Sequence, residues 1–260
     1  MSDPDLQRKR AENLWEPFAR KFQPIARSCS LDSFASLDVT DIGGLDDAKE
    51  EVLTYACAAT DPQVYARWGT APPSGLLLFG PSGSGKTMLA EALATRAQRP
   101  FLIVHVPKLV LQLIHASGDS AELLKAWIAI LHELPPITVY FDELDFAQQL
   151  AEGPPRPGLP TGPIGDFLLE LVDAVVNTED MLLVGSTSHP DSLSHPFLEP
   201  GRFERLVTVT PSLPGDVVAA LEIHAARAER SAGRALFQDI DWMKIADQNR
   251  EASIGNWIRL

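Results

Sequence analysis

The sequence predicts an α/β fold: a parallel sheet of five strands sandwiched by helices, followed by a small and apparently truncated α-helical lid. Three observations carry this. Apolar runs of strand length, at residues 75–79, 101–106, 137–141, 181–185 and 206–209, alternate with segments of helical composition. That alternation marks parallel strands covered on both faces. The stretch Gly80-Pro81-Ser82-Gly83-Ser84-Gly85-Lys86-Thr87 joins the first of these strands to good helix formers at 88–94. From Pro214 onward the pattern turns helical only, at 217–230 and 242–248.

Composition sets the frame. The chain has 260 residues, 45% hydrophobic and 22% charged, ordinary values for a soluble globular protein of one larger domain with an annex. A net charge of −13 disfavours nonspecific binding to nucleic acid or an anionic membrane. Two cysteines, Cys29 and Cys57, make neither a disulfide framework nor a metal cluster, so a reducing compartment is expected. No run is long and apolar enough to span a membrane, and residues 1–10 lack the hydrophobic region of a signal peptide. The expected location is cytoplasmic.

In chain order, Leu14 to Phe22 reads as a short amphipathic helix interrupted at Pro17. It serves either as a docking segment, through Trp15, Phe18 and Phe22, or as a helix packed on its own domain; the second reading is favoured. Residues 28–40 read as linker. Gly43-Gly44 allows a tight turn, and Asp46 or Asp47 then begins a helix. Pro62, Pro72 and Pro73 interrupt the path to the first strand. Pro107 ends the second strand, and 121–132 reads as a helix. Residues 153–165 are rich in Pro and Gly and read as a loop before a helix at 167–176. The division is 1–40 for the N-terminal helical segment and linker, 41–212 for the large domain and 213–260 for a partial lid.

Gly80 to Thr87 fits the phosphate-binding pattern G-x-x-x-x-G-K-[ST] at every fixed position, in the strand–loop–helix context that pattern requires. Glycines let successive backbone N–H groups face a phosphate, and the helix N-terminus adds a favourable dipole. Lys86 would oppose the β- and γ-phosphates, and the Thr87 hydroxyl would ligate Mg²⁺. The nucleotide-contacting run extends to Met88. The third strand passes directly into Asp142-Glu143, an acid pair of the Walker B type. Asp142 would hold Mg²⁺ through its water shell, and Glu143 would orient and deprotonate the attacking water.

With these pieces the sequence resembles the AAA ATPases of the AAA+ superfamily, hexameric protein-remodelling motors of P-loop NTPase fold. Five stretches carry the resemblance: Asp41-Ile42-Gly43-Gly44-Leu45; the phosphate loop; Tyr140-Phe141-Asp142-Glu143-Leu144-Asp145; Gly185-Ser186-Thr187-Ser188-His189-Pro190-Asp191; and Leu198-Glu199-Pro200-Gly201-Arg202-Phe203-Glu204-Arg205. Together they place residues 41–260 in the family pattern. The resemblance implies ATP and Mg²⁺ as cofactors and backbone contacts from Asp41, Ile42 and Gly43 to adenine. It implies that Arg202 and Arg205 act on the γ-phosphate of a neighbouring subunit, a role suited to a permanently charged, planar guanidinium. His224 matches a position that the family packs beside the ribose and adenine, although a lone helix histidine is more often structural. The implied partners are further copies of the chain in a ring, a hexamer in the family, or related AAA subunits, together with a protein client that the sequence does not identify.

Four departures qualify the resemblance. Ser188 replaces the usual Asn at sensor 1, where Thr-Asn-Arg-Pro reads Thr187-Ser188-His189-Pro190; the shorter reach predicts slower hydrolysis. Leu113-Ile114-His115 occupies the pore-loop position without its aromatic or its Gly, which puts processive threading in doubt. The lid is short, with Gly255 near the sensor 2 region and Trp257, Ile258 and Leu260 resembling core residues without partners. It is either naturally trimmed or part of a longer lid. Glu199 stands where Arg often precedes Pro-Gly-Arg. The leading reading is an ATP-hydrolysing ring motor. The alternative is a nucleotide-gated assembly or scaffold protein with slow or no turnover. A small P-loop transferase or kinase is disfavoured, because it has no place for the Pro-Gly-Arg-Phe stretch or the helical annex.

Overall fold

The structure, a computed structural model, describes residues 4–61, 63–115, 120–152, 161–248 and 255. The chain opens with α1 (Pro4–Lys21) and α2 (Gln23–Ala26). Helix α1 runs through Pro17 rather than breaking there. A proline in a helix interior costs about 3 kcal/mol, but α1 buries Trp15 and Phe18 in the main core, and each large apolar side chain buried returns about 1.5–3 kcal/mol. Ring contacts of 5.2 Å between Trp15 and Phe18 and 5.1 Å between Phe18 and Phe22 reinforce the packing. The aromatics considered for docking are thus committed to the protein's own core, Phe22 less completely than the other two.

Residues 28–40 are not simply linker. Strand β1 (Cys29–Asp32) pairs antiparallel with the later β3, and a 3-10 turn (Val39–Asp41) follows. Then come α3 (Asp46–Thr60), α4 (Gln63–Arg67), β2 (Gly75–Phe79), α5 (Lys86–Arg96), β3 (Phe101–His105) and α6 (Val106–His115). Val106, expected in the strand, instead starts α6, with Pro107 in the first turn where its missing N–H costs nothing. The expected pore-loop residues Leu113 and Ile114 lie on α6 and pack partly against the core. Next are α7 (Ser120–Glu133), β4 (Thr138–Asp142), α8 (Phe146–Glu152), α9 (Thr161–Val176), β5 (Leu182–Thr187) and β6 (Arg205–Thr208). Residues 161–165, expected in a loop, form the first turns of α9. The rest of that expected loop, 153–160, lies outside the described residues. Two lid helices complete the order, α10 (Gly215–Ala232) and α11 (Trp242–Gln248).

The sheet runs β1-β3-β4-β5-β2-β6, and all its pairings except β1–β3 are parallel. The five predicted parallel strands are all present, and β1 is the addition. Strand periodicity sends alternate residues to opposite faces. Leu77, Leu102, Val104, Val139, Phe141 and Leu183 join α1, α7 and α9 on one side. Leu76, Leu78, Tyr140, Val184 and Val207 meet α3 and α5 on the other. The lid has a small core of its own at Val217, Leu221 and Ala246. No helix among the described residues is long and apolar enough to cross a membrane. The parallel topology sets the C-terminal ends of β2, β4 and β5 side by side, and the residues that follow those ends form the candidate site.

Candidate functional site

The loop after β2 is shaped by backbone that only glycine adopts freely: Gly83 has φ 74° and Gly85 φ 104°. Gly85 is the N-cap of α5, so the first free N–H groups of that helix open into the loop. Lys86 begins the helix and is buried. Its Nζ donates to the carbonyl oxygens of Gly80 (2.7 Å) and Pro81 (2.9 Å) and to Ser188 Oγ (3.3 Å). Burial lowers its pKa from the usual lysine value, and the carboxylates of Asp142, Asp145 and Glu143 oppose that shift. The ammonium is therefore held in place by carbonyls that a phosphate oxygen could replace.

The acids come from the end of β4, and a hydrogen-bonded chain fixes them. Tyr140 Oη donates to Asp142 Oδ1 (2.9 Å) and lies 3.3 Å from Thr87 Oγ1. Ser186 Oγ on β5 also donates to Asp142 Oδ1 (2.9 Å) and accepts the Glu143 N–H (3.1 Å). His105 Nδ1 lies 3.8 Å from Asp142 Oδ2. Glu143 itself adopts φ 59°, a left-handed backbone rare outside glycine and costing about 1 kcal/mol or more. The turn comes directly after the end of β4 at Asp142. Desolvation raises the Glu143 pKa first, the neighbouring Asp142 and Asp145 raise it further, and Lys86 lowers it. A carboxylate tuned upward in this way is a better proton acceptor than an ordinary one.

Ser82, Gly83, Gly85, Lys86, Thr87, Met88, Asp142, Glu143, Ser188 and Gly255 line one cavity of ≈ 280 Å³. The Gly255 N–H donates to the Gly83 carbonyl (3.3 Å), which brings a residue from the chain's far end onto the phosphate loop. The donor set fits Mg²⁺. Thr87 Oγ1 and Asp142 Oδ1 converge on a single phenol oxygen. No group of three His, Cys, Asp or Glu side chains among the described residues forms an all-protein cage. A cation that keeps its waters and leans on phosphate oxygens needs no such cage.

Other predicted residues lie apart from this cavity. Gly43 sits so close to α10 that a Cβ there would fall 2.1 Å from the Ala220 nitrogen. Ile42 is a core side chain. Asp41 caps its own 3-10 turn by accepting the Asp38 N–H (3.0 Å), and it lines a separate cavity of ≈ 480 Å³ with Glu91, Arg227 and Arg230. His224, one turn beyond Ala220, is half-buried, and burial and Arg227 lower its pKa. Arg202 makes a bidentate pair with Asp173 (2.5 and 3.0 Å) and donates to the Pro196 carbonyl (2.7 Å) and Glu199 (2.9 Å). Arg205 pairs with Glu51, its Nε at 2.9 Å. Sequence reasoning assigned no role to Tyr140, Ser186, Asp145 or His189. Inside an apolar strand the first two read as core, and the signal that finds them is position, within two residues of the strand's acidic or polar end.

Comparison with known proteins identifies the family. The family described as "ATPase family associated with various cellular activities (AAA)" matches residues 76–211. Protein SAV of Sulfolobus acidocaldarius is 32% identical over 184 residues, covering 70% of this chain and 23% of that protein. The cell division cycle protein 48 homolog of Archaeoglobus fulgidus is 27% identical over 230 residues, covering 88% of this chain and 30% of that protein. The peroxisomal ATPase PEX6 of Rattus norvegicus is 36% identical over 174 residues, 66% of this chain and 17% of that protein. The chain thus spans 30% or less of the length of each.

Proposed function

The chain belongs to the AAA family of ATPases, and from that premise we propose that it binds ATP with Mg²⁺, hydrolyses it, and couples hydrolysis in a ring of like subunits to the remodelling of a protein partner. The observation that carries this reading is the convergence of Lys86, Thr87, Asp142, Glu143 and Ser188 on one cavity. In it, Lys86 and the N-terminus of α5 oppose the triphosphate charge. Ser188, already within hydrogen-bond reach of Lys86, contacts the γ-phosphate or its attacking water. Glu143 accepts the proton of that water. Thr87 and Asp142 would hold Mg²⁺, which would neutralise part of the triphosphate charge. Residues 41–212 form the ATPase module, and 213–260 act as its lid, with the Asp41–Gly43 segment and His224 on the adenine side. Two free cysteines fit a cytoplasmic setting.

Two observations support the alternative, a nucleotide-gated assembly protein with slow turnover. Both arginines expected to act in trans are paired with acids of their own subunit. The expected pore residues Leu113 and Ile114 sit on a helix and offer no aromatic grip. Steady-state ATP hydrolysis measured against protein concentration separates the two. A ring motor gains specific activity as subunits assemble. A scaffold assembles with ATP, as sedimentation would show, without a matching rise in turnover.

A further inference from the structure

We infer that His189 is a positioning residue for hydrolysis, tying the Ser188 loop to the turn that aims Glu143 by holding the buried carboxylate of Asp145. The inference rests on the reading of Glu143 as the base and Ser188 as the phosphate-sensing hydroxyl. Strands β4 and β5 end their backbone pairing at Phe141 and Gly185. Beyond that point the two chains carry Glu143 on one side and Ser188 on the other, and a few contacts still join them. Ser186 Oγ reaches Asp142, and the Leu144 N–H donates to the Ser186 carbonyl (2.9 Å). Further out, His189 Nδ1 lies 3.1 Å from Asp145 Oδ2.

Asp145 is the fixed point of that outer contact. Its side chain is 4% exposed, whereas that of His189 is 63% exposed. Its carbonyl accepts the N–H groups of Gln148 (3.1 Å) and Gln149 (3.0 Å), so the same residue starts α8. Its Oδ2 is approached by His189 Nδ1 and by Gln149 Nε2, and its Oδ1 is buried with no partner among the described residues. The Gln149 amide nitrogen also lies 2.8 Å from His189 Nδ1. The amide nitrogen carries two N–H groups and the imidazole has two tautomers; in the tautomer with Nδ1 protonated, Gln149 and His189 both donate to Oδ2, which satisfies the buried carboxylate best. A buried carboxylate with one orphan oxygen depends heavily on the donors it retains. Removing His189 leaves Gln149 alone on Asp145. The turn at Glu143, which holds φ 59°, then loses its outer anchor to the Ser188 loop. His189 N–H donates to Thr187 Oγ1 (3.0 Å), so its own backbone stays in register while the side-chain tie is cut.

The test compares wild type, His189→Ala, His189→Arg and Glu143→Gln by ATP turnover, by affinity for a fluorescent ATP analogue and by melting temperature. A positioning role predicts that His189→Ala lowers kcat about 10–100-fold, while KM and nucleotide affinity stay within about threefold and the melting temperature falls by only a few degrees as the buried carboxylate loses one donor. His189→Arg keeps a donor for Asp145 and recovers most of the rate. An unchanged kcat in His189→Ala overturns the inference. So does a rate loss matched by an equal loss of nucleotide affinity, or an Arg variant as slow as the Ala variant. If Glu143→Gln abolishes turnover and His189→Ala leaves kcat unchanged, this tie alone is wrong. If wild type hydrolyses no ATP at any concentration, the hydrolytic reading falls and takes the tie with it.

Discussion

The phosphate-loop end of the sheet and the arginine edge are built on opposite terms. At the loop, charged groups converge on one open cavity, and a network links them: Thr87 to Tyr140, Tyr140 and Ser186 to Asp142, Ser186 to the Glu143 backbone. Those charged groups line a cavity of ≈ 280 Å³. At the edge, Arg202 has spent its donors on Asp173, Glu199 and the Pro196 carbonyl, and Arg205 is engaged with Glu51. On the proposed reading the first region is preorganised for nucleotide, whereas the second would have to exchange partners before acting on a neighbour. The exchange differs between the two arginines. The Arg205 side chain is 54% exposed, and a surface pair of that kind contributes about 0–1 kcal/mol. The Arg202 side chain is 19% exposed and held by a bidentate pair plus two further bonds, so its release costs more.

The comparison breaks most severely if Lys86 is dispensable. Lys86→Ala removes the buried ammonium from the loop, and nucleotide binding should be lost, with turnover following it. Calorimetric titration with ATP decides the matter; wild-type affinity in the variant would show that the loop end is not a phosphate site. Next in size is the edge. Arg202→Ala/Arg205→Ala should leave ATP binding intact and cut turnover by about three to five orders of magnitude, the effect of losing a trans arginine. Mixing that double variant with Glu143→Gln subunits should recover some activity, because the second supplies arginines to the sites of the first. No recovery at concentrations where both co-assemble would argue that the arginines serve their own subunit only.

How much of this was legible before the structure depends on distance along the chain. The phosphate loop declared itself because glycines, lysine and threonine within eight consecutive positions specify one local geometry. The five parallel strands showed through their continuous apolar runs. Strand β1 did not. Four residues alternating in burial, as Cys29 to Asp32 do, carry little periodicity, and an edge strand needs only one neighbour. The helix through Pro17 was misread because the local penalty of proline was visible and the tertiary burial of Trp15 and Phe18 was not. The arginine clamps were beyond reach: Arg202 meets Asp173 and Arg205 meets Glu51 across 29 and 154 positions. Nothing in the neighbourhood of either arginine announces its acid except Glu199, which is close in sequence and was visible as a departure.

A pH profile sharpens the loop side. The Glu143 pKa lies above the ordinary carboxylate value because of desolvation and the adjacent acids. As a base it works only when deprotonated. Turnover should therefore be full above its folded pKa and fall as pH drops through it, by about tenfold for each unit below. The acid limb should sit above the ordinary glutamate range. The stability consequence has the opposite sign: a raised folded pKa gives stability that is present below the unfolded value and lost as pH rises through the folded one. Glu143→Gln should thus be inactive yet at least as heat-stable as wild type at neutral pH. A less stable variant would show that the acid is held by its surroundings rather than strained by them.

The smallest effect tests the edge from the other direction, by loosening it. Glu199 donates nothing to catalysis in this scheme; it only holds Arg202 Nη1 at 2.9 Å within its own subunit. Its side chain is half exposed, so the contact contributes about 0.5–1 kcal/mol. Glu199→Gln keeps the shape and weakens the charge. If Arg202 must leave its acids to reach a neighbour's nucleotide, that weakening should speed the transfer by the same margin, a two- to fivefold rise in specific activity. Asp173 still orients the guanidinium, so the gain should not grow into loss of order at the edge. The rise should also be largest at low protein concentration, where assembly competes with the internal clamp, and fade as the ring saturates. Equal activity across the whole concentration range would mean that the Glu199 contact is incidental. A fall would mean that Glu199 holds Arg202 in its working position, and the edge would then be as preorganised as the loop.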